Sequence, residues 1–302
     1  MFAVTILGNN SALPTLERHP TAQIITCNDQ LILVDCGEGT QLQFARYKIR
    51  RSRLRYIFIS HLHGDHYFGL IGLLNSLSLL GRQDPLTIFA PPELEAIIQL
   101  QMQCSGTVLQ FELQFVALRE ENQGLILSDK DLNVTFFPTI HRIPCFGFTF
   151  EVQKRRRKIL LEQTKAYEIP AAYFSKLQEG ADYQRKDGFL VKNDWVTLPP
   201  PKGKKYVFYA DTMYSEDLVR FANDADLVYH ETTYLHNLAE RAAERYHSTT
   251  VQAATLALKA NAHRLIVGHF SSKYTDLTPF EAECREIFPN SDVAVEGASY
   301  IV

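Results

Sequence analysis

The ten residues 57–66, IFISHLHGDH, limit what this chain can be more than any other stretch. The apolar run at 56–59 has the composition of a buried strand and stops at Ser60. His61, His63, Asp65 and His66 then set four potential metal ligands within six positions. Neutral imidazole and carboxylate are the usual donors for zinc and similar ions. Alternation puts His61, His63 and Asp65 on one side of an extended segment. Gly64 permits a tight turn, so His66 can also swing inward. A lone histidine after a strand is most often a hydrogen-bonded loop residue, but four donors packed this closely would crowd one another without a cation.

Composition narrows the setting. With 302 residues, 46% of them hydrophobic, the chain can bury one large core or two smaller ones. The formal net charge is −3, so nothing draws the whole surface to nucleic acid, and a polyanion site must be a local patch. Cys27, Cys36, Cys104, Cys145 and Cys284 are scattered, odd in number and form no CxxC pair. That argues against a disulfide framework and against cysteine-ligated zinc, and it points to a reducing cytoplasm. The opening FAVTILG reads as a strand without a basic leader, and the longest apolar run, near 70–80, is too short to cross a bilayer.

In chain order, 2–7 reads as a strand, and 23–27 and 31–34 as a hairpin joined at Asn28-Asp29. The second hairpin strand ends in DCGEGT and a helix from Gln41. Asp35 there either holds a ligand or caps the helix through loop amides. Residues 46–55, RYKIRRSRLR, carry six basic residues in ten. This run is either a solvated face or, because it precedes the histidine strand directly, a phosphate-binding patch close to the site. Residues 68–80 are apolar at helical spacing. Strands are expected at 86–90, 114–118, 125–127, 133–140, 149–153, 206–209, 227–229 and 265–268, with a closing strand at 293–295. Helices are expected at 93–102, 235–246, 248–260 and 279–287, the third capped by Ser248 or Thr249. Between 154, where KRRRK begins, and 193 the composition turns mixed polar with tyrosines. This is read as an insertion, a short helical hairpin at 161–167 and 171–178, with Pro199-Pro200-Pro201 stiffening the return.

Six apolar runs end at Asp35, His61, His141, Asp211, His230 and His269. Ligand sites of open sheets lie beyond strand C-termini, so six such ends suggest convergence on one pocket. Seven residues are candidate ligands: His61, His63, Asp65, His66, His141, Asp211 and His269. One zinc takes about three or four protein ligands, so seven suit two ions with a shared carboxylate, for which Asp211 is the natural bridge. Two ions roughly 3.5–4 Å apart serve phosphoryl transfer. The donor set fits zinc best, with manganese or iron possible.

HLHGDH with a downstream His, Asp and His resembles the signature of the metallo-β-lactamase superfamily. LGNNSALPTLERHPTA, LVDCGEGTQLQ, FISHLHGDHYFGL, FYADT, LVYHET, HSTTVQAA and VGHFSSKY together resemble the ribonuclease Z family over essentially the whole chain. The resemblance implies an α/β fold, a four-layer αββα sandwich with a dimetal site at one edge, forming a single domain over 1–302. It implies two Zn2+ per subunit, His61, His63 and His141 on one, Asp65, His66 and His269 on the other, and Asp211 shared. It implies Asp65 as general base, His247 as proton donor to the leaving oxygen and Glu231 as the residue that orients His247. His247 also sits at a helix junction, where a helix C-cap is the alternative role.

The resemblance further implies a metal-dependent endoribonuclease that removes the 3′ trailer of precursor tRNA after the discriminator nucleotide. The tRNA would keep a 3′-hydroxyl and the trailer a 5′-phosphate. The insertion at 154–193 corresponds to a flexible arm that grips tRNA across a homodimer. This family usually carries a Gly-Pro pair near the arm tip, where the chain has Ile169-Pro170-Ala171-Ala172. Grip would then rest on KRRRK, Lys176, Arg185 and Lys186. Two rival functions keep the fold: a small-molecule phosphodiesterase, against which the long insertion argues, and a non-catalytic RNA-binding scaffold, against which the complete ligand set argues.

Overall fold

A computed structural model describes residues 1–129, 132–152, 156–200 and 202–302. Gln153, Lys154, Arg155 and Pro201, which belong to the strand expected at 149–153, the run KRRRK and the proline stretch, lie outside the described residues.

The chain opens with β1 (Phe2–Gly8), β2 (Ala22–Cys27) and β3 (Gln30–Val34), then α1 (Thr40–Arg46) and β4 (Leu54–Phe58). The short α2 (Gly64–Tyr67) and α3 (Leu70–Leu79) lead to β5 (Leu86–Ala90), α4 (Glu93–Ser105) and β6 (Leu113–Ala117). Next come β7 (Gly124–Ser128), β8 (Leu132–Pro138) and β9 (Phe146–Val152). A lobe follows, made of β10 (Lys158–Ile159), α5 (Leu161–Ala166), α6 (Phe174–Gln178), β11 (Tyr183–Gln184), β12 (Leu190–Val191), α7 (Asn193–Val196) and β13 (Thr197–Leu198). The chain closes with β14 (Lys204–Tyr209), β15 (Leu227–Glu231), α8 (Ala239–Glu244), α9 (Thr250–Lys259), β16 (Leu265–Gly268), α10 (Thr278–Ile287), β17 (Ser291–Val293) and β18 (Ser299–Ile301).

Two seven-stranded sheets result, ordered β18-β1-β2-β3-β4-β5-β6 and β17-β16-β15-β14-β9-β8-β7. Most of their strands bury both faces, so they read as near-continuous apolar runs rather than as alternation. Between the sheets lie Val4, Phe58, Phe148, Phe150, Phe208 and Tyr229, with the Phe58 ring 5.2 Å from that of Phe148. The outer face of the first sheet packs Leu33, Ile57 and Ile88 against Phe44, Leu74 and Ile98 from α1, α3 and α4. The outer face of the second packs Val207, Val228 and Val267 against Ala253, Leu256 and Phe280 from α9 and α10. The layers are therefore α, β, β, α.

Each sheet has a parallel half, β3 to β6 in the first and β14 to β17 in the second. Parallel strands send their C-terminal ends, and the loops after them, to the same edge. The turn from α2 into α3 is pressed against the loop after β3: Gly69 N–H donates to the Cys36 carbonyl at 2.9 Å. A Cβ on Gly69 would stand 2.0 Å from the Gly37 carbonyl oxygen, so only glycine allows this approach. Thr249 caps α9 in a capping box, its backbone N–H bonded to Gln252 Oε1 at 2.9 Å.

Three local expectations need correction. The helix expected at 235–246 is a 3-10 turn, His236–Leu238, followed by the shorter α8. The last strand is β18, which pairs with β1 of the first sheet; its three residues alternate in exposure and carry no apolar run to betray them. The basic run at 46–55 is not beside the histidine cluster. Its residues 51–55 lead into the N-terminal end of β4, while the histidines follow the other end. The seven residue steps from Leu54 to His61 span about 23 Å when extended. Arg53 there pairs with Asp29 at 3.7 Å.

The lobe is more than a helical hairpin. Ile169, Leu177, Val191 and Val196 form a small core ringed by Tyr167, Tyr173, Phe174 and Tyr183. Three of its basic residues are paired with carboxylates: Arg157 with Asp194, Arg185 with Glu168 at 2.9 Å and Asp187 at 3.4 Å, and Lys192 with Asp182 at 2.9 Å.

Candidate metal centre

All seven candidate ligands meet at the edge where the parallel strands end. The chain leaves β4 at Phe58 and delivers His61 and His63 while still extended; α2 then turns Asp65 and His66 inward. Extended alternation would have kept Asp65 beside His61 and His63. The turn at Gly64 assigns it to a second group instead. His141 follows β8, Asp211 follows β14 and His269 follows β16.

The donor atoms fall into two sets. His61 Nε2, His63 Nδ1, His141 Nε2 and Asp211 Oδ2 form the first. His63 Nδ1 is 3.0 Å from His61 and 3.1 Å from His141, and Asp211 Oδ2 is 3.7 and 3.8 Å from those two. Asp65 Oδ2, His66 Nε2, His269 Nε2 and Asp211 Oδ1 form the second. Asp65 Oδ2 stands 3.5 Å from His66 and 3.3 Å from His269, and Asp211 Oδ1 stands 3.5 and 3.2 Å from the same two. Donors bound tetrahedrally at zinc distances lie roughly 3.3–3.6 Å apart. The second set comes close to that spacing and the first straddles it, and each takes one oxygen of Asp211. These are His/Asp clusters typical of a binuclear metal site.

The fit is chemical as well as geometric. His66 Nε2 and Asp211 Oδ1 are buried with no hydrogen-bond partner among the described residues. Buried polar atoms are rarely left so, and a cation between them resolves both. Burial, with His66 nearby, holds His61 well below the usual histidine range; burial and His141 push His63 down to about 4; burial also lowers His141. Neutral rings keep the lone pairs that a metal needs. His66 runs the other way: burial opposes its charge, but Asp211, Asp65 and Asp35 outweigh burial and raise it well above that range. Those carboxylates create a field that attracts a cation.

The second nitrogen of each Nε2-donating ring is fixed by an oxygen. His61 Nδ1 meets Ser60 Oγ at 3.0 Å, His66 Nδ1 meets Asp35 Oδ2 at 2.7 Å, His141 Nδ1 meets the Tyr246 carbonyl at 3.0 Å and His269 Nδ1 meets Thr233 Oγ1 at 3.0 Å. Such partners set tautomer and ring orientation. Asp35 thus neither caps α1 nor faces a substrate. It accepts from Ser60 N at 2.8 Å, Ser60 Oγ at 3.0 Å and His66. Asp35→Asn is expected to weaken metal binding about 10–100-fold, read by competition with a chromophoric chelator; unchanged affinity would remove this role from Asp35.

Glu231 and His247 lie beside the second set. Glu231 is buried and accepts from Ser248 N at 2.8 Å, Thr233 N at 2.8 Å, Thr233 Oγ1 at 2.9 Å and His247 Nδ1 at 3.0 Å. Burial works against the charge on His247, but Glu231 overcomes it and pushes the imidazole up to about 9. His247 lies in the turn between α8 and α9: its backbone N–H closes α8 on the Ala242 carbonyl at 2.8 Å, while its side chain turns to Glu231. His230 does not join the site. Because β15 continues to Glu231, alternation turns His230 to the opposite face, where it stacks on Tyr209 at 5.0 Å.

His63, Asp65, Asp211, His247 and His269 open into a cleft of about 510 Å3 whose rim carries Arg142, Arg241 and Arg245. Sequence reasoning did not select Ser60, Thr233 or these arginines. Ser60 precedes His61 and Thr233 lies two residues after Glu231, so both could have been suspected as partners. The arginines come together only through the fold.

The chain aligns along its whole length with ribonucleases Z. It is 40% identical to ribonuclease Z of Parabacteroides distasonis, covering 98% of this chain and 97% of the relative. It is also 40% identical to that of Cytophaga hutchinsonii, covering 100% and 96%. Human tRNase Z, short form, superimposes with a TM-score of 0.70 at 27% identity, covering 99% of this chain and 98% of the human one. The metallo-β-lactamase fold protein YhfI of Bacillus subtilis, at 18% identity and a TM-score of 0.69, shares the fold. Residues 2–167 match the family model described as Anti-Pycsar protein Apyc1. The chain has the metallo-β-lactamase fold; it falls within that described family through residues 2–167, and over its full length it belongs to the ribonuclease Z family.

Proposed function

We propose that this protein removes the 3′ trailer from precursor tRNA by hydrolysis just after the discriminator nucleotide, leaving a 3′-hydroxyl on the tRNA and a 5′-phosphate on the trailer. The observation that carries it is the pair of donor sets joined through Asp211, in a chain that aligns end to end with ribonucleases Z.

His61, His63 and His141 would hold one ion, Asp65, His66 and His269 the other, and Asp211 would serve both. Zinc suits these donors best; manganese or iron is compatible. The ions, when bound, supply Lewis-acid charge to water and to the phosphodiester. His66 and His269 keep the Asp65 carboxylate ionised against the effect of burial, and from its place beside both donor sets it would orient the attacking water and take its proton once bound ions had acidified that water. Glu231 keeps His247 charged and aligned through Nδ1, which leaves Nε2 to donate a proton to the departing 3′-oxygen. Thr233 couples the two halves, since its hydroxyl lies near Glu231, His247 and His269 together. The inserted lobe, read from the sequence as the arm at 154–193, holds the body of the tRNA, in a homodimer whose two lobes each serve the opposite subunit. The enzyme works in a reducing cytoplasm, where its five cysteines remain free thiols.

The test compares kcat/KM for a precursor tRNA with that for a chromogenic phosphodiester, using the metal-loaded enzyme. Precursor tRNA is expected to be preferred by orders of magnitude. Equal or reversed preference would make the protein a small-molecule phosphodiesterase.

A further inference from the structure

With the basic run at 46–55 far from the ligands, the cleft needs another source of positive charge to meet an RNA backbone. α8 offers one. Ala242 is the residue it buries fully, Arg241 lies within it, and Arg245, its C-cap, follows one turn later with its N–H bonded to the Arg241 carbonyl at 3.2 Å. The helix feeds directly into the site: His247 N–H donates to the Ala242 carbonyl at 2.8 Å. Across the cleft Arg142 follows His141, whose ring is anchored to the Tyr246 carbonyl at 3.0 Å. All three arginines line the same cleft as Asp65, Asp211 and His247.

Most other surface arginines of the second half are paired, Arg157 with Asp194, Arg185 with Glu168, Arg264 with Asp292 and Arg285 with Glu281. Among the described residues, Arg142, Arg241 and Arg245 have no carboxylate within 4.0 Å. Arg241 has only the Tyr234 ring, 6.0 Å away. Three unpaired guanidinium groups at one opening repel each other, and a bound polyanion turns that repulsion into attraction. Guanidinium also matches phosphate oxygens with a two-pronged fork, which lysine cannot do. Arg241 and Arg245 also line a second hollow of about 710 Å3, but Glu240 and Glu244 line it with them, so the unbalanced positive charge is confined to the cleft.

We propose that Arg142, Arg241 and Arg245 clamp the phosphates on the leaving-group side of the scissile bond. These belong to the single-stranded end that stays with the tRNA. The side follows from α8, which carries Arg241, ends at Arg245 and runs into His247, the donor to the leaving oxygen. The proposal rests on the function given above. The clamp holds the backbone and reads no base.

The test measures binding of the product tRNA, which is not cut again, and of the 5′-phosphorylated trailer, over a salt series. Metal-loaded wild type is compared with Arg142→Ala, Arg241→Ala, Arg245→Ala, the triple variant and the triple Arg→Lys variant. Cleavage of precursor tRNA and of a chromogenic phosphodiester is measured in parallel. Each alanine is expected to reduce kcat/KM for precursor tRNA about tenfold. It should also reduce the magnitude of the log–log salt slope for product tRNA by about 0.7. Trailer binding and the chromogenic reaction should stay within about twofold of wild type. Lysine should restore the slope. An unchanged slope for product tRNA in the triple alanine variant, from a wild type that cuts precursor tRNA, would overturn the clamp and leave the function intact. A wild type that cuts no precursor, yet loses product-tRNA binding with the arginines, would overturn the function and leave the RNA contact standing. Equal weakening of trailer binding would overturn the assigned side.

Discussion

Asp211→Ala is expected to empty both halves of the metal centre at once. Each donor set has three other members, but only Asp211 belongs to both, through Oδ2 toward His61 and His141 and Oδ1 toward His66 and His269. Without it each ion loses a ligand, and the two lose the negative charge between them. Bound metal should fall from about two ions per chain to less than one. Activity on precursor tRNA should drop by at least about a thousandfold, since the Lewis-acid contribution amounts to several kcal/mol. His269→Ala removes a ligand from the second set alone and should leave the first ion in place. Metal analysis of the purified variants separates the two cases. Two ions retained in Asp211→Ala would show that the carboxylate is not the bridge.

His247→Ala should show the opposite signature, full metal content with kcat reduced about 10²–10⁴-fold, the usual worth of a general acid. The pH profile carries more information. The charged imidazole is the active form, so rate is present below the pKa of His247 and lost as pH rises through it. Without metal, burial against Glu231 and Asp211 sets that pKa at about 9. Divalent cations beside Asp211 repel the imidazolium and lower it, so the descending limb of kcat should fall at or below that value. In His247→Ala this limb should vanish. In Glu231→Gln the stabilising charge is gone, so the limb should move to lower pH while metal content holds. A limb that stays put in Glu231→Gln would deny Glu231 its orienting and charging role.

Much of the core of this site could be read before the fold was known, because its ligands cluster in sequence or end apolar runs. HLHGDH supplies four of the seven ligands in one stretch, and His141, Asp211 and His269 each follow a run of buried strand residues. The same logic misplaced His230, since it took the polar residue after an apolar run as the strand end. There β15 simply continues past His230 to Glu231, and alternation does the rest. Asp35 was recognised as unusual, but its partner His66 lies 31 residues away, and only folding reveals that it orients a ligand rather than capping a helix.

Charge was the least legible property. The basic run at 46–55 precedes the ligand strand in sequence, but a parallel strand separates its beginning from its end by its full length, so adjacency in sequence means distance in space. The lobe shows a similar effect: Arg157 and Arg185 look available in sequence, yet Asp194, Glu168 and Asp187 fold back on them. Arg142, Arg241 and Arg245 form no run at all, and the loops after β8 and β15 bring them to one cleft. In the same way β18, three residues with one buried side chain, has no pattern of its own and exists because β1 offers an open edge.

The most direct measurement is cleavage of a precursor tRNA bearing a 3′ trailer, mapped to the nucleotide, by metal-loaded wild type beside Asp65→Ala. The expected result is one metal-dependent cut after the discriminator, with a 3′-hydroxyl and a 5′-phosphate at the new ends, lost in the variant. Intact precursor after incubation with enzyme that holds two ions and hydrolyses a small phosphodiester would contradict it.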